Sequence, residues 1–264
     1  MDFGTTKMIA RKENGIGWMI FNQPEKRNAV AFEMWTAIPR IIESFENDPE
    51  VRGIVVAGAG DKAFVSGADI SEFEKLRSTP EDVKIYNDAG DRANESIIKC
   101  TKPTIAMIRG ICIGGGLGMA LNTDIRICSD DSVFAVPAAR LGLGYRYGGM
   151  KRLVDVVGPS YAKEIFFTAR KFNPAEALQM GLVNRVVPVA ELESYVKDYT
   201  SRIAENAPLT MKAAKLAIDA VIEDESKRDL KTVNHMVDVC FGSQDYIEGR
   251  RAFMEKRKPK FQGR

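Results

Sequence analysis

Apolar residues near the start of the chain follow strand spacing first and helix spacing afterwards. Two short runs, residues 7–13 and 17–22, flank Asn14-Gly15, the dipeptide most typical of a tight β-hairpin. From Phe32 to Glu46 the apolar residues lie near helical spacing, although Pro39 within this segment indicates a kink or an early start. The pattern predicts a hairpin followed by an amphipathic helix.

Short runs rich in β-branched residues alternate with helical segments through the middle of the chain. They read, in order, RGIVVAG, PTIAMIRG, DIRIC and SVFAV. Residues 173–176 (NPAE) form a predicted capping box, and Gly181 is expected to end the helix that follows. After a last strand-like run, LVNRVV, the pattern is helical almost throughout. We therefore predict an α/β fold with a β-rich spiral or sheet core over residues 1–190 and a helical part over residues 191–264.

Composition and charge exclude several classes of protein. The chain has 264 residues, 45% of them apolar, which is enough for a sizeable core. Its 38 basic and 36 acidic residues are spread along the chain and leave a formal charge of +2, so no general field attracts nucleic acid or a membrane. No apolar run approaches the roughly 18 residues of a spanning helix, and no secretory signal pattern is present. We expect a cytoplasmic protein, or one of an organelle's matrix if a transit peptide was removed, without nucleic-acid or membrane partners.

Cysteine and histidine are too few, and too far apart, for the common metal sites. The spacings of Cys100, Cys112, Cys128 and Cys240 match no zinc pattern, and we expect buried, reduced thiols. His235 is the only histidine, which excludes histidine clusters, and any Ser-His or Cys-His pair would have to use it. We expect no metal site, and we expect His235 to lie partly buried on a helix face.

Two glycine-containing segments carry the candidate chemistry. They are VSGADISEF, residues 65–73, and IGGGLGMA, residues 113–120, and each follows a predicted strand and leads into a predicted helix. Backbone N–H groups at a helix start have no partner within the helix, so two such starts facing one point would hold an oxyanion. The alternative is that the glycines only allow a helix to pack closely on a strand. A dinucleotide fingerprint fits poorly, because its third glycine falls on Met119.

Several segments, taken in their order and spacing, resemble the enoyl-CoA hydratase/isomerase (crotonase) family along nearly the whole chain. They are FNQPEKRNAV, KAFVSGADISEF, KPTIAMIRGICIGGG, FAVPAARLGLGY, TARKFNPAEALQMGLVNRVVP and EGRRAFMEKRKPKF. The resemblance implies a crotonase-like spiral of β-β-α turns, with a helical C-terminal part used for assembly as a homotrimer or a dimer of trimers. It also implies an acyl-CoA substrate, with no cofactor other than the coenzyme A of that substrate.

The resemblance also implies roles for particular residues. Ala68 and Gly115 match the backbone donors of the family's oxyanion hole, which stabilise a thioester enolate. Further matches to substrate-binding positions are Asp69, Ile70 and Ser71 at the acyl-CoA, and Phe253 and Lys256 at its nucleotide end, in some members from a neighbouring subunit.

Two acidic residues near the first segment have more ordinary explanations. We expect Asp69 to cap a helix rather than act as a base. We expect Glu72 on the solvated face of that helix, although an active-site loop can turn such a side chain inward.

The chain departs from the family where hydratases have their two glutamates. Those positions are Gly118 and Ala138 here, and the aspartate of dienoyl-CoA isomerases falls on Arg146. A positioned acid or base contributes about 10²- to 10⁴-fold, so ordinary hydration is not expected. The resemblance predicts a lyase of this family that acts through a thioester enolate, by a reaction that stays open.

Decarboxylation of a 2-carboxyacyl-CoA is one alternative. The family's methylmalonyl-CoA decarboxylases have a tyrosine where Tyr145 stands, although their histidine in the first segment is Ala68 here. Loss of CO₂ creates the enolate without a base, and Tyr145 would orient the carboxylate or donate a proton, helped by Arg140 or Arg146. Otherwise Tyr145 is a half-buried aromatic residue whose hydroxyl is bonded nearby.

A binder without catalysis, of a CoA thioester or of RNA, is the remaining alternative. Against RNA binding, the helix over residues 32–46 carries Glu33, Glu43 and Glu46 beside Arg40, so it offers no basic face.

Overall fold

Two β-sheets organise the chain in the computed structural model, which describes residues 3–264. The larger sheet has six strands among those residues: β1 (Met8–Glu13), β2 (Ile16–Phe21), β3 (Gly53–Gly58), β5 (Thr104–Ile108), β7 (Ile125–Ser129) and β9 (Arg185–Val187), in that spatial order. The smaller sheet contains β4 (Ala63–Val65), β6 (Ile111–Ile113) and β8 (Val133–Ala135). Only β1 and β2 pair antiparallel among these strands; the other neighbours are parallel.

The predicted hairpin is confirmed. Glu13 pairs with Ile16, so Asn14 and Gly15 form the whole turn. Both turn residues have left-handed φ values, 51° and 78°, as the two-residue turn that matches strand twist requires.

Three successive strand pairs, each followed by helix, build the predicted spiral of β-β-α turns. In each pair the first strand joins the large sheet and the second joins the small sheet, and the helices then return the chain for the next turn. The helices of this part are α1 (Phe32–Glu46), α2 (Phe73–Leu76), α3 (Pro80–Ile98), α4 (Gly115–Leu121), α5 (Tyr147–Thr168) and α6 (Pro174–Gln179). The α/β spiral core is therefore confirmed.

Local signals explain where several of these helices begin and end. Pro39 lies inside α1 without ending it. The predicted capping box is confirmed at α6, where the Asn173 side chain accepts a hydrogen bond from the Glu176 N–H at 2.9 Å and the Glu176 carboxylate accepts one from the Asn173 N–H. Gly181 has a φ of 74°, the left-handed conformation that ends a helix. α5 is broken at Gly158, where φ is also 74°.

The C-terminal part is helical, as predicted. It contains α7 (Leu192–Ala204), α8 (Pro208–Ile222), α9 (Leu230–Phe241) and α10 (Gln244–Met254). Leu192 and Val196 of α7 pack on the outer face of the large sheet, against Trp18, Val55 and Ile105. The boundary at residue 190 stays a prediction. Within residues 3–264, no helix is both long enough and apolar enough to cross a membrane.

Three of the four cysteines are buried as expected, and none of the four forms a disulfide within the described chain. Burial raises the pKa of Cys100 to about 11 and that of Cys128 to about 12, so both stay protonated at neutral pH. Cys240 is only half-buried, and His235 is exposed, so the expectations for these two residues were wrong. Both lie on α9, which packs mainly against α8 and α10.

Candidate active site

A cleft of about 1650 Å³ runs along α4, from Gly115 at its start to Asn122 just beyond its end. Residues of α3 line one side of this cleft, the segment 137–155 lines another, and α8 closes part of its far end. The segment between β4 and α2, which contains Ala68, also lines it. Both glycine-containing segments singled out in the sequence thus border one cavity.

The backbone around Ala68 leaves its N–H group without a partner. The Val30 N–H donates to the Gly67 carbonyl at 2.8 Å, and the Asp69 N–H donates to the Val30 carbonyl at 2.9 Å. In extended backbone the N–H of the residue between these two groups points the opposite way. No acceptor within residues 3–264 is bonded to the Ala68 N–H, so it is available to a ligand in the cleft.

The second amide belongs to the first residue of α4. Gly114 precedes it with φ 56° and ψ −119°, a conformation that essentially only glycine adopts, and its own N–H donates to the Ala135 carbonyl at 2.9 Å. Gly115 then begins the helix, where an N–H has no intrahelical acceptor. In the described part of the chain nothing else accepts from Gly115.

The two amides lie close together. A β-carbon built on Gly115 would be 3.7 Å from the Ala68 nitrogen, and one built on Gly67 would be 3.9 Å from the Gly115 nitrogen. The structure therefore brings the two predicted donors to one point of the cleft.

Close packing explains a different glycine of the triplet. A β-carbon on Gly116 would lie 2.0 Å from the Val65 carbonyl oxygen, so only glycine lets α4 sit against β4 here. A β-carbon on Gly118 would meet nothing within 4 Å. The packing interpretation therefore holds at Gly116, whereas the oxyanion interpretation of Gly115 stays a prediction.

Asp69 is buried behind the first amide, with 5% of its surface exposed. Its carboxylate accepts hydrogen bonds from the Ser71 N–H at 3.1 Å, from Lys26 at 2.7 Å and from Gln23 at 3.4 Å. Burial opposes ionisation, but the bonds from Lys26 and Ser71 outweigh it and hold the pKa of Asp69 below its usual value. Asp69 thus caps the short 3₁₀ turn over Ile70–Glu72, as expected for a cap rather than a base.

Glu72 departs from the solvated position that we expected. Its carboxylate turns inward and accepts the Phe32 N–H at 2.8 Å. That N–H belongs to the first turn of α1 and has no partner within the helix, so Glu72 ties the segment that contains Ala68 to α1.

Tyr145 lines the cleft and is 41% exposed. Its ring packs edge-to-face on Phe166, with 5.0 Å between ring centroids. Burial of the hydroxyl raises the pKa of Tyr145, so the phenol keeps its proton at neutral pH. Arg146 forms an ion pair with Asp91 at 3.1 Å. Arg140 is exposed, and it is not among the residues that line the cleft within residues 3–264.

Gly118 and Ala138 both line the cleft, so the two positions without glutamates face the same cavity as the amides. Most carboxylates of the lining are already paired with cations: Asp69, Asp91, Glu95 and Asp155. Asp219 of α8 is in no ion pair within the described chain, and burial raises its pKa.

Phe253 and Lys256 lie elsewhere. Phe253 is on α10 with 82% of its surface exposed, and Lys256 follows the same helix in an exposed left-handed conformation. Within residues 3–264, neither side chain lines the cleft. A contact to the nucleotide end of coenzyme A would therefore have to be made in the cleft of a neighbouring copy. Their role stays a prediction.

Arg77 is a cleft residue that sequence reasoning missed. Its guanidinium carbon lies 4.0 Å from the ring centroid of Phe73 and 4.3 Å from that of Tyr86. No spacing or motif marks this residue, because Tyr86 comes from α3 and the contact forms only in the fold.

Residues 3–264 contain no group of three or more His, Cys, Asp or Glu side chains placed to hold a metal ion.

Comparison with known proteins identifies the family that this chain is similar to. A model of the enoyl-CoA hydratase/isomerase family matches residues 11–264. The chain is 35% identical over 251 residues to a short-chain-enoyl-CoA hydratase of Clostridium acetobutylicum, covering 95% of each chain. It is 32% identical to the carnitinyl-CoA dehydratase of Escherichia coli K12, covering 90% of this chain and 92% of the other. A crystal structure of an enoyl-CoA hydratase/carnithine racemase from Magnetospirillum magneticum superposes with a TM-score of 0.91 at 32% identity, covering 99% and 97% of the chains.

Proposed function

Because the chain belongs to the enoyl-CoA hydratase/isomerase family, we propose that it acts on an acyl-CoA thioester through an enolate held by the Ala68 and Gly115 amides. The observation that carries this proposal is that both N–H groups lack an acceptor in the described chain and border one point of the cleft. A thioester oxygen placed there gains negative charge as the enolate forms. Fixed donors stabilise that charge more than they stabilise the ground state.

The remaining residues of the first segment support the binding step. Asp69 is fixed by Lys26 and Ser71, and Glu72 is fixed on α1, so the Ala68 amide is held by its surroundings rather than by a mobile loop. A donor that is preset in this way costs no reorganisation when the charge develops.

The residues at positions 118 and 138 argue against hydration of a double bond. That reaction needs a group that activates water and a group that moves a proton to carbon, and Gly118 and Ala138 supply neither. Asp69 has a lowered pKa and is already engaged, so it does not replace them.

Decarboxylation of a 2-carboxyacyl-CoA is the second candidate, and Tyr145 favours it. In this reaction the bond between C2 and the carboxylate breaks, CO₂ leaves, and the bonding electrons form the enolate. A proton then adds at C2. A protonated phenol in the cleft either donates a hydrogen bond to the substrate carboxylate or delivers that proton.

Product analysis tests both candidates. The purified protein is incubated separately with crotonyl-CoA and with methylmalonyl-CoA, and the products are followed by mass. Hydration at rates typical of the family would overturn the inference from Gly118 and Ala138. Loss of CO₂ that Tyr145→Phe abolishes would support decarboxylation. Tight binding of both thioesters with no product from either would favour a non-catalytic binder.

We also propose a homotrimer or a dimer of trimers. Large apolar side chains are exposed on the C-terminal helices, among them Ile218, Val221, Phe241, Phe253 and Met254. Burying such surface between copies is the usual reason for its presence. Light scattering coupled to size-exclusion chromatography tests this, and a monomer at micromolar concentration would contradict it.

A further inference from the structure

The guanidinium of Arg77 packs against two aromatic rings that meet each other edge-to-face, with 5.7 Å between their centroids. Phe73 from α2 and Tyr86 from α3 hold it at 4.0 and 4.3 Å, and Tyr86 is itself fixed by a hydrogen bond from Trp35 to its hydroxyl at 3.1 Å. The N–H groups of a guanidinium point outward in its own plane, so a carboxylate accepts hydrogen bonds from them at the edge of the guanidinium. The side chain is therefore oriented before any ligand arrives.

No carboxylate of the described chain neutralises this cation. Arg77 forms no ion pair within residues 3–264, and its Nε is buried with no hydrogen-bond partner. Three carboxylates precede Arg77 on the same segment: Asp69 is bonded to Lys26, Glu72 accepts the N–H of Phe32, and Glu74 is exposed. Arg77 as a whole is only half-buried and lines the cleft, so a ligand there can supply the acceptors that its unpaired guanidinium lacks.

Arg77 lines the same cleft as the two amides. It follows α2 directly, and α2 follows the segment that contains Ala68. The neighbouring lining is apolar, with Trp35 and Phe73 among it. An acyl chain whose thioester oxygen rests on the amides can thus pass apolar surface and end at the edge of the guanidinium.

We propose that Arg77 binds a carboxylate at the far end of the acyl group, so that the preferred ligands are coenzyme A monothioesters of dicarboxylic acids. This inference rests on the proposed acyl-CoA function and adds a substrate class to it. The terminal carboxylate accepts charge-assisted hydrogen bonds from the guanidinium edge, which an alkyl terminus cannot do. Arg77 acts here in binding and specificity and takes no part in bond breaking.

Matched ligand pairs test the proposal by calorimetry, without need of turnover. Succinyl-CoA differs from butyryl-CoA, and glutaryl-CoA from pentanoyl-CoA, by a carboxylate in place of the terminal methyl group. For at least one pair we expect the dicarboxylic thioester to bind about 10- to 100-fold more tightly. Arg77→Met should remove this preference while leaving the binding of the alkyl thioester unchanged, and Arg77→Lys should keep part of it.

Arg109 provides the matched control. Its Nε is also buried without a partner in the described chain, but Arg109 does not line the cleft. Arg109→Met should therefore retain the wild-type preference.

Three results would overturn the proposal. Equal affinities within both pairs for the wild type would do so without any variant. A loss in Arg77→Met that is the same for both members of a pair would assign Arg77 to coenzyme A or to the fold. Failure of every thioester to bind, butyryl-CoA included, would instead overturn the proposed function itself.

Discussion

Gly115→Ala places a methyl group between the two amides without straining the fold. Gly115 does not have a left-handed φ, and the new β-carbon would lie 3.7 Å from the Ala68 nitrogen and 3.8 Å from the Gly67 Cα. These are ordinary van der Waals distances, so neither segment has to move. The substitution changes the space in which the thioester oxygen would rest.

The expected effect on catalysis is large. An enolate oxygen must lie about 2.7–3.1 Å from each donor nitrogen, and the methyl group occupies the space next to that position. Losing one oxyanion donor typically costs about 2.7–4 kcal/mol of barrier, or about 10²- to 10³-fold in kcat. Folding should not suffer, since replacing glycine by alanine in a compatible conformation stabilises by about 0.4–1 kcal/mol.

Two neighbouring glycines provide the controls. Gly118→Ala adds a β-carbon that meets nothing within 4 Å, so both turnover and stability should stay near those of the wild type. Gly116→Ala puts a β-carbon 2.0 Å from the Val65 carbonyl oxygen, so this variant should lose thermal stability first. The assay is thermal unfolding of each variant, together with turnover of whichever thioester the wild type consumes.

Comparison of the three variants tests whether the Gly115 amide contacts the reacting oxygen. Gly115→Ala should separate activity from stability, whereas Gly116→Ala should lower both. Undiminished turnover by a folded Gly115→Ala protein would refute the assignment of this amide to the reacting oxygen.

Three further predictions concern the cleft and its supports. Gly118→Glu puts a carboxylate into open space in the cleft and should raise hydration of crotonyl-CoA by about 10²-fold, measured from product mass; unchanged hydration would count against the role given to the missing glutamate. Since the folded pKa of Asp69 is lowered, its stabilising contribution is present above the ordinary value and is lost as pH falls through the lowered pKa. Lys26→Met should therefore reduce the urea unfolding free energy by about 1 kcal/mol at neutral pH, with the difference vanishing in acid; a constant difference would contradict this. Asn173→Ala should cost about 1 kcal/mol in the same assay because Glu176 loses its capping partner, and an unchanged value would show that the cap is unimportant.

Local signals in the sequence predicted local structure well. The turn at Asn14-Gly15 and the capping box at Asn173 depend on residues a few positions apart, so their physical causes are visible in the chain itself. The α/β core was equally accessible, because the alternation of β-branched runs with helical segments extends through it, whereas the spiral of β-β-α turns was predicted from the family resemblance.

Contacts between distant segments could not be predicted in this way. Glu72 bonds to an amide 40 positions away, so its inward orientation depends on how α1 packs. The contacts of Arg77 likewise need α2 and α3 side by side. His235 is exposed on α9, which packs mainly against α8 and α10.

The glycine stretch shows how far sequence reasoning reaches at the site. Spacing alone left a binding role and a packing role equally open for residues 114–116. The fold separates them, since Gly116 is needed against Val65 while Gly115 lines the cleft with its N–H unbonded within residues 3–264. Spacing did not predict that Ala68 lies close to Gly115, because the two residues belong to different turns of the spiral.

A crystal structure with bound butyryl-CoA measures the central claim most directly. We predict that the thioester oxygen lies about 2.7–3.1 Å from both the Ala68 and the Gly115 nitrogen. A thioester oxygen that reaches only one of these nitrogens, or neither, would contradict the proposed enolate site.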